Sequence, residues 1–194
     1  MYHTLIGVDE AGRGPLAGPV AVGVVAVPHG FDLLGEIPGI ADSKELSEKK
    51  REAVYERTQH FVASGVVRYI VQFTSAQTID EIGIVPSVIR AVHEGVRTLA
   101  PSSLGVRILL DGLLHAPEGY DQKTIIHGDG LEPIIGLASI LAKVERDHLM
   151  MEAAKQYPGY GFEKHKGYGT ATHLAAIREL GFSDIHRKSF YAPI

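Results

Sequence analysis

The sequence predicts an α/β fold, a mixed sheet flanked by helices with a helical extension at its C-terminal end. Three observations lead there. Short β-branched or apolar runs at Val20 to Val27, Val66 to Phe73 and Val106 to Leu110 alternate with longer stretches of helical periodicity. The run at 106–110 is of strand length and ends on Asp111 and Gly112, the pattern of a central strand. The last fifty residues change character, becoming rich in glycine, tyrosine and basic groups before a final helical pattern.

Taken in order, Ile6 and Val8 lead a first strand into Asp9 and Glu10, and Val20 to Val27 form a second. Between them Gly12, Gly14 and Gly18, with Pro15 and Pro19, make a turn whose main-chain N–H groups can face a ligand instead of a ladder. Pro28 to Gly39 is a loop. Ser47 then caps a helix running to His60. After the third strand, Ser75 and Thr78 open a segment holding a long helix through Val85 to Leu99, which Pro86 kinks or restarts. The 106–110 strand delivers Asp111 at its carboxyl end. A short strand at Thr124 to Ile126 leads into His127-Gly128-Asp129-Gly130 and a helix from Pro133 to Tyr157, with Ile134, Ile135, Leu137, Ala138 and Leu141 on its apolar face. A helix from Thr172 to Leu180, closed by Gly181, ends the pattern. The reading is one domain over 1–194, with a core at 1–150 and an extension at 151–194.

Composition narrows the classes. A chain of 194 residues, 45% hydrophobic and 22% charged, suffices for one buried core and not for two equal ones. Without cysteine there is no disulfide, no thiol nucleophile and no thiolate-bound zinc. No apolar run approaches the roughly 18 residues of a membrane span, and the first strand follows Met1 too closely for a signal peptide, so a cytoplasmic protein is expected. A net charge of −4 argues against a general polyanion binder; a nucleic-acid surface would have to be locally basic.

Asp9, Glu10, Asp111 and Asp129 fall at strand ends or in glycine turns, whereas the other acids lie mostly on helix faces or polar loops. Gathered at one edge they would repel one another, which a divalent cation relieves. Oxygen ligands favour Mg²⁺ or Mn²⁺, and two such ions about 4 Å apart suit phosphodiester cleavage. The alternative is a set of separate capping or turn aspartates. In a regular strand Asp9 and Glu10 face opposite sides, so shared ligation requires the strand to end or twist there. Gly12-Arg13-Gly14 reads alone as a tight turn with an exposed arginine. Asp42-Ser43-Lys44 is either a helix lead-in or a turn presenting a lysine to phosphate. Lys164 to Gly169, including Lys166 and Tyr168, is either a solvated loop or a surface for phosphate contact and ring stacking. Lys143, Arg146 and Asp147 read as solvent face or intrahelical pairing. None of the ten histidines has metal-ligand spacing.

Together, DEAGRGPLAGPV at 9–20, DSKELSEKKRE at 42–52, LLDG at 109–112, HGDG at 127–130, ASILAKVERD at 138–147, YPGYGFEKHKGYGT at 157–170 and IHRKSF at 185–190 closely resemble the type 2 ribonucleases H, specifically bacterial ribonuclease HII. The resemblance implies a ribonuclease H fold and cleavage of RNA in RNA/DNA hybrids or at ribonucleotides embedded in duplex DNA. It implies Asp9, Glu10, Asp111 and Asp129 as catalytic ligands of two Mg²⁺ or Mn²⁺ ions, and two-metal hydrolysis leaving 3′-hydroxyl and 5′-phosphate ends. It also implies Gly12, Arg13 and Gly14 as the backbone sensor of the ribose 2′-hydroxyl, Tyr168 as the ring that packs on the following sugar, and Lys44 as a phosphate contact; Lys166 of the basic loop is expected, from its own pattern, to join the substrate-binding residues. A monomer with no obligate protein partner is expected. FYAPI at the C-terminal end shows no sliding-clamp-binding pattern, and Asp9 lies too near the start for the N-terminal domain of ribonuclease HIII. Two segments depart from the family pattern: Gly83, Pro86 and Ser87 interrupt a helix, and Gly136 is expected to loosen packing beneath the site. A hybrid-binding module without catalysis would have lost a carboxylate. A DNA nuclease on the same fold would need neither the glycine loop nor Tyr168.

Overall fold

A computed structural model describes residues 2–41 and 43–191. The strands β1 (Thr4–Ala11), β2 (Val20–Pro28), β3 (Arg68–Thr74), β4 (Val106–Asp111) and β5 (Asp121–Ile125) form one sheet in the order β3-β2-β1-β4-β5. β1 pairs antiparallel with β2 and parallel with β4; β2 pairs antiparallel with β3, and β4 parallel with β5. The sheet is mixed, as the element order predicts.

The helices are α1 (Leu33–Glu36), α2 (Glu48–Ala63), α3 (Ala76–Ile82), α4 (Ile84–Leu99), α5 (Gly128–Leu131), α6 (Pro133–Gln156), α7 (Phe162–His165) and α8 (Ala171–Leu180), followed by a 3₁₀ turn at Lys188–Phe190. Ser47 caps α2 by accepting the Lys50 amide. The 28–39 loop contains α1, begun by Asp32 accepting from Gly35. Gly83, at φ +85°, both closes α3 and precedes α4. Pro86 therefore sits in the first turn of a new helix, where its missing N–H leaves no bond unmade.

Both faces of the sheet are covered. Val22 and Val24 pack with Val88, Val92 and Val96 of α4, while Val25 and Val27 pack with Ile134, Leu137 and Leu141 of α6. Every residue of β2 except Pro28 is consequently buried. The first half of α6 is wider in its burial than one apolar face: Ile134 through Ala142 are all buried. This helix lies directly on the sheet backbone, because a Cβ on Gly7 or Gly23 would stand 2.3 Å from the carbonyl oxygens of Ile134 or Ala138. The C-terminal segment packs Tyr160, Phe162 and Ala176 around Ala17 of the β1–β2 loop and Met150 of α6. No helix among the described residues is long and apolar enough to cross a membrane.

Candidate active site

The β1–β4 pairing stops at Val8 and Leu110, and the chain places Asp9, Glu10 and Asp111 just beyond that point. There they line a cavity of about 340 Å³ together with Gly12, Arg13, Gly14, Ser43, Lys44, Arg51, Ser139, Lys143 and Tyr168. β1 does not end at Asp9, since it stays paired with β2 through Ala11. The cavity opens where β4 no longer flanks β1, and both Asp9 and Glu10 reach it.

Asp9 is 4% exposed, and its Oδ1 accepts the Glu10 amide at 2.7 Å. Burial, then the neighbouring charges of Glu10 and Asp111, push its pKa well above the ordinary carboxylate value. Asp111 Oδ1 accepts the Gly128 amide at 2.7 Å, which ties β4 to the turn bearing Asp129. Glu10 accepts from Arg13 Nη1 at 3.0 Å. Asp129 is buried and does not line the cavity; it meets the site through Lys44, whose Nζ lies 3.1 Å from its Oδ2. Asp42, two residues before this lysine in the sequence, falls outside the described residues.

The helix beneath is close-packed. A Cβ on Gly136 would stand 2.8 Å from the Asp129 carbonyl and 3.1 Å from Ile40. Gly136 lets α6 approach that turn, which corrects the expectation of looser packing.

Tyr168 is 44% exposed at the cavity rim, with Lys143 Nζ 6.0 Å from its ring centroid. The Tyr168 carbonyl accepts from His173 Nδ1 at 2.9 Å, and His173 Nε2 meets His186 Nε2 at 3.0 Å in the interior. Lys166, expected among the substrate contacts, is 8% exposed and stands away from the cavity lining. Its ammonium donates to the Glu163 carbonyl, so in this geometry it organises the loop behind Tyr168.

The cavity lining includes residues that the sequence does not mark as site residues, among them Ser139, Lys143 and Arg51. Ser139 and Lys143 lie one helical turn apart on α6, and Lys143 continues to Asp147 at 2.6 Å; Arg51 approaches the same Asp147 at 3.8 Å. The spacing of Ser139, Lys143 and Asp147 was a readable signal of a polar stripe inside a buried helix. The intrahelical pairing of Lys143 and Asp147 is present, but Arg146 is no solvent-facing residue. It is fully buried, donating to the carbonyls of Pro19, Lys166 and Ala17 at 2.9, 3.0 and 3.2 Å.

Among the described residues no group of three His, Asp or Glu side chains is arranged to hold a metal ion. The donor chemistry nevertheless fits a hard divalent cation: the acids around the cavity offer only oxygen, and Asp9 carries neighbouring negative charge that a cation would relieve. Glu10 and Asp129 are each tied to a basic side chain in this arrangement.

A carboxylate-lined cavity at the edge of a mixed sheet, rimmed by basic and aromatic groups, defines the class as a metal-dependent nuclease. The ribonuclease HII family model matches residues 6–192, and the chain belongs to that family. Among its relatives, ribonuclease HII of Geobacter metallireducens is 47% identical over 191 residues, covering 97% of this chain and 84% of that protein. Ribonuclease HII of Leuconostoc mesenteroides is 45% identical over 194 residues, covering 100% of this chain and 72% of the relative. In fold the chain is similar to the PCNA:RNase HII complex structure from Archaeoglobus fulgidus, with TM-score 0.79, 23% identity and coverage of 98% and 96%. It is also similar to Bst-RNase HIII in complex with Mn²⁺, at TM-score 0.63 and 17% identity, covering 92% of this chain and 63% of that one.

Proposed function

We propose that this nuclease cleaves the RNA strand of RNA/DNA hybrids and incises duplex DNA on the 5′ side of an embedded ribonucleotide. The observation that carries the reading is that Asp9, Glu10 and Asp111 line the same cavity as the Gly12-Arg13-Gly14 loop and Tyr168. Asp9, Glu10, Asp111 and Asp129 would hold two divalent ions, Mg²⁺ or Mn²⁺, which when bound activate water and stabilise the leaving oxygen.

The chain's own groups do the rest. The loop amides contact the 2′-hydroxyl, the group by which RNA differs from DNA. The Tyr168 ring packs on the sugar of the following nucleotide, and Lys44 neutralises a nearby phosphate. Water oxygen bonds to phosphorus as the P–O3′ bond breaks, and the departing oxygen takes a proton. The products are a 3′-hydroxyl and a 5′-phosphate, with no covalent enzyme intermediate.

In this reading residues 1–150 are the catalytic core and 151–194 an extension of the same domain, working as a cytoplasmic monomer. The terminal residues 192–194 of the FYAPI segment lie outside the described residues.

The test compares a duplex carrying one ribonucleotide, the matching all-DNA duplex and an RNA/DNA hybrid, each with Mg²⁺, Mn²⁺ or chelator. Metal-dependent incision 5′ of the ribonucleotide, with the DNA control intact, is the expected result. Binding of all three without cleavage under either metal would favour a binding module instead.

A further inference from the structure

Arg187 lies beyond α8, 175 positions from Gly12, yet it is fully buried against the β1–β2 loop. Its backbone amide donates to the Leu16 carbonyl at 2.8 Å, and the Gly18 amide donates to Ile185 at 2.8 Å, so the two segments run together as a short ladder. From there the guanidinium reaches three carbonyls: Nε to Gly18 at 2.9 Å, Nη1 to Arg13 at 2.9 Å and Nη2 to Gly12 at 2.7 Å. The planar fork suits this, since its donors have a fixed relative geometry that an ammonium lacks.

The consequence follows from peptide geometry. In a trans peptide unit the C=O and the next residue's N–H point in opposite directions, and the described chain contains no cis peptide. Turning the carbonyls of Gly12 and Arg13 inward to Arg187 turns the N–H groups of Arg13 and Gly14 away from it. Those residues line the cavity, and among the described residues neither amide donates to a protein acceptor. Gly14 stands in open space, with nothing within 4 Å of where a Cβ would be. Gly12 is as confined as Gly14 is open: at φ +80°, its added Cβ would stand 2.0 Å from Arg146 Nε.

We propose that Arg187 is a positioning residue for ribose recognition: by holding the Gly12 and Arg13 carbonyls inward, it presents the Arg13 and Gly14 amides as donors to the 2′-hydroxyl. The inference rests on the reading that this loop senses that hydroxyl. It assigns to the C-terminal extension a part in specificity as well as in packing.

The test measures affinity by fluorescence anisotropy for a duplex with one ribonucleotide and for its all-DNA counterpart. Ca²⁺ replaces the active metal, and strand integrity is verified on a denaturing gel. Wild type, Arg187→Lys, Arg187→Gln and, as a control for general loosening of the extension, Ile177→Ala are compared. The expected result is that the Arg187 variants lower the ribonucleotide-to-DNA affinity ratio about tenfold, the worth of one or two hydrogen bonds. Affinity for all-DNA duplex stays near wild type, and Ile177→Ala keeps the ratio despite a lower melting temperature. A wild-type ratio in Arg187→Lys overturns the proposal. A wild type that does not discriminate refutes the loop reading itself, and the proposal with it. If neither Arg187 variant folds, amide hydrogen exchange in the wild type decides. Slowing at Arg13 and Gly14 with the ribonucleotide duplex alone supports the outward orientation, and no change on binding overturns it.

Discussion

Gly23 is the register partner of Asp9 across the β1–β2 ladder and lies under the α6 backbone. Replacing it with alanine puts a methyl group 2.3 Å from the Ala138 carbonyl oxygen, where ordinary contact begins at 3.4 Å, so strand and helix must part by about 1.1 Å. The obstacle is backbone, which cannot rotate aside, so the cost belongs at the upper end of the overpacking range, about 3 kcal/mol. For a domain of this size that lowers Tm by roughly 6–12 °C. The displacement also falls between Asp9 and the helix carrying Ser139 and Lys143, and a shift of about 1 Å in a positioned site lowers activity about 100-fold. Val24→Ala is the control. Its side chain faces the α4 side of the sheet, and its loss removes roughly 2 kcal/mol without pressing on α6. Urea melts and single-turnover cleavage should show both variants destabilised but only Gly23→Ala severely slowed. Equal activity in the two, or a Gly23→Ala protein as stable as wild type, would refute the argument that the site's geometry is set by this close approach.

Further outcomes follow from the same geometry. Asp9 has its folded pKa raised by burial, Glu10 and Asp111, so its contribution to stability is present below the unfolded value of 3.8 and is lost as pH rises through the folded value. In chelator at neutral pH, Asp9→Asn should therefore melt higher than wild type in calorimetry, while cleaving nothing. His186 has the opposite sign: burial and then His173 lower its pKa from 6.5 to about 4, so its contribution is intact above 6.5 and lost as pH falls through about 4. Urea melts of wild type should weaken over that interval, and His186→Gln should flatten the acid limb. Tyr168→Ala should weaken ribonucleotide-duplex binding by roughly 10- to 100-fold, the worth of one stacked ring, whereas Tyr168→Phe, which keeps the ring, should stay close to wild type by anisotropy.

What could be read from the sequence is what local pattern encodes. The apolar runs leading into Asp9, Glu10 and Asp111 were legible as strands, because strand composition is local; that β1 continues to Ala11 while its pairing with β4 stops at Val8 was not, because that depends on a partner strand about a hundred positions away. The break at Gly83 and the restart through Pro86 were likewise signalled in a few residues. Arg146 and Arg187 were beyond reach of such reading. Their partners are backbone carbonyls as many as 129 and 175 positions away, and an arginine that binds carbonyls leaves no charge pattern beside them. The placement of Lys166 was out of reach for a related reason: a basic loop advertises its charge, not the direction of its ammonium, and here the left-handed backbone at φ +50° goes with an inward turn. Gly136 was read for its flexibility when its meaning was close approach.

The most direct test of the carboxylate centre is a paired measurement on wild type and Asp111→Asn: Mn²⁺ binding by calorimetry, and cleavage of the single-ribonucleotide duplex by the same preparations. Asp111 also fixes the Gly128 amide, which asparagine's oxygen can still accept, so the substitution removes charge more than structure. The account predicts that the variant folds and binds the duplex, binds Mn²⁺ measurably more weakly, and does not cleave. A variant that takes up Mn²⁺ like wild type and incises at a comparable rate would place the catalytic metals elsewhere and contradict it.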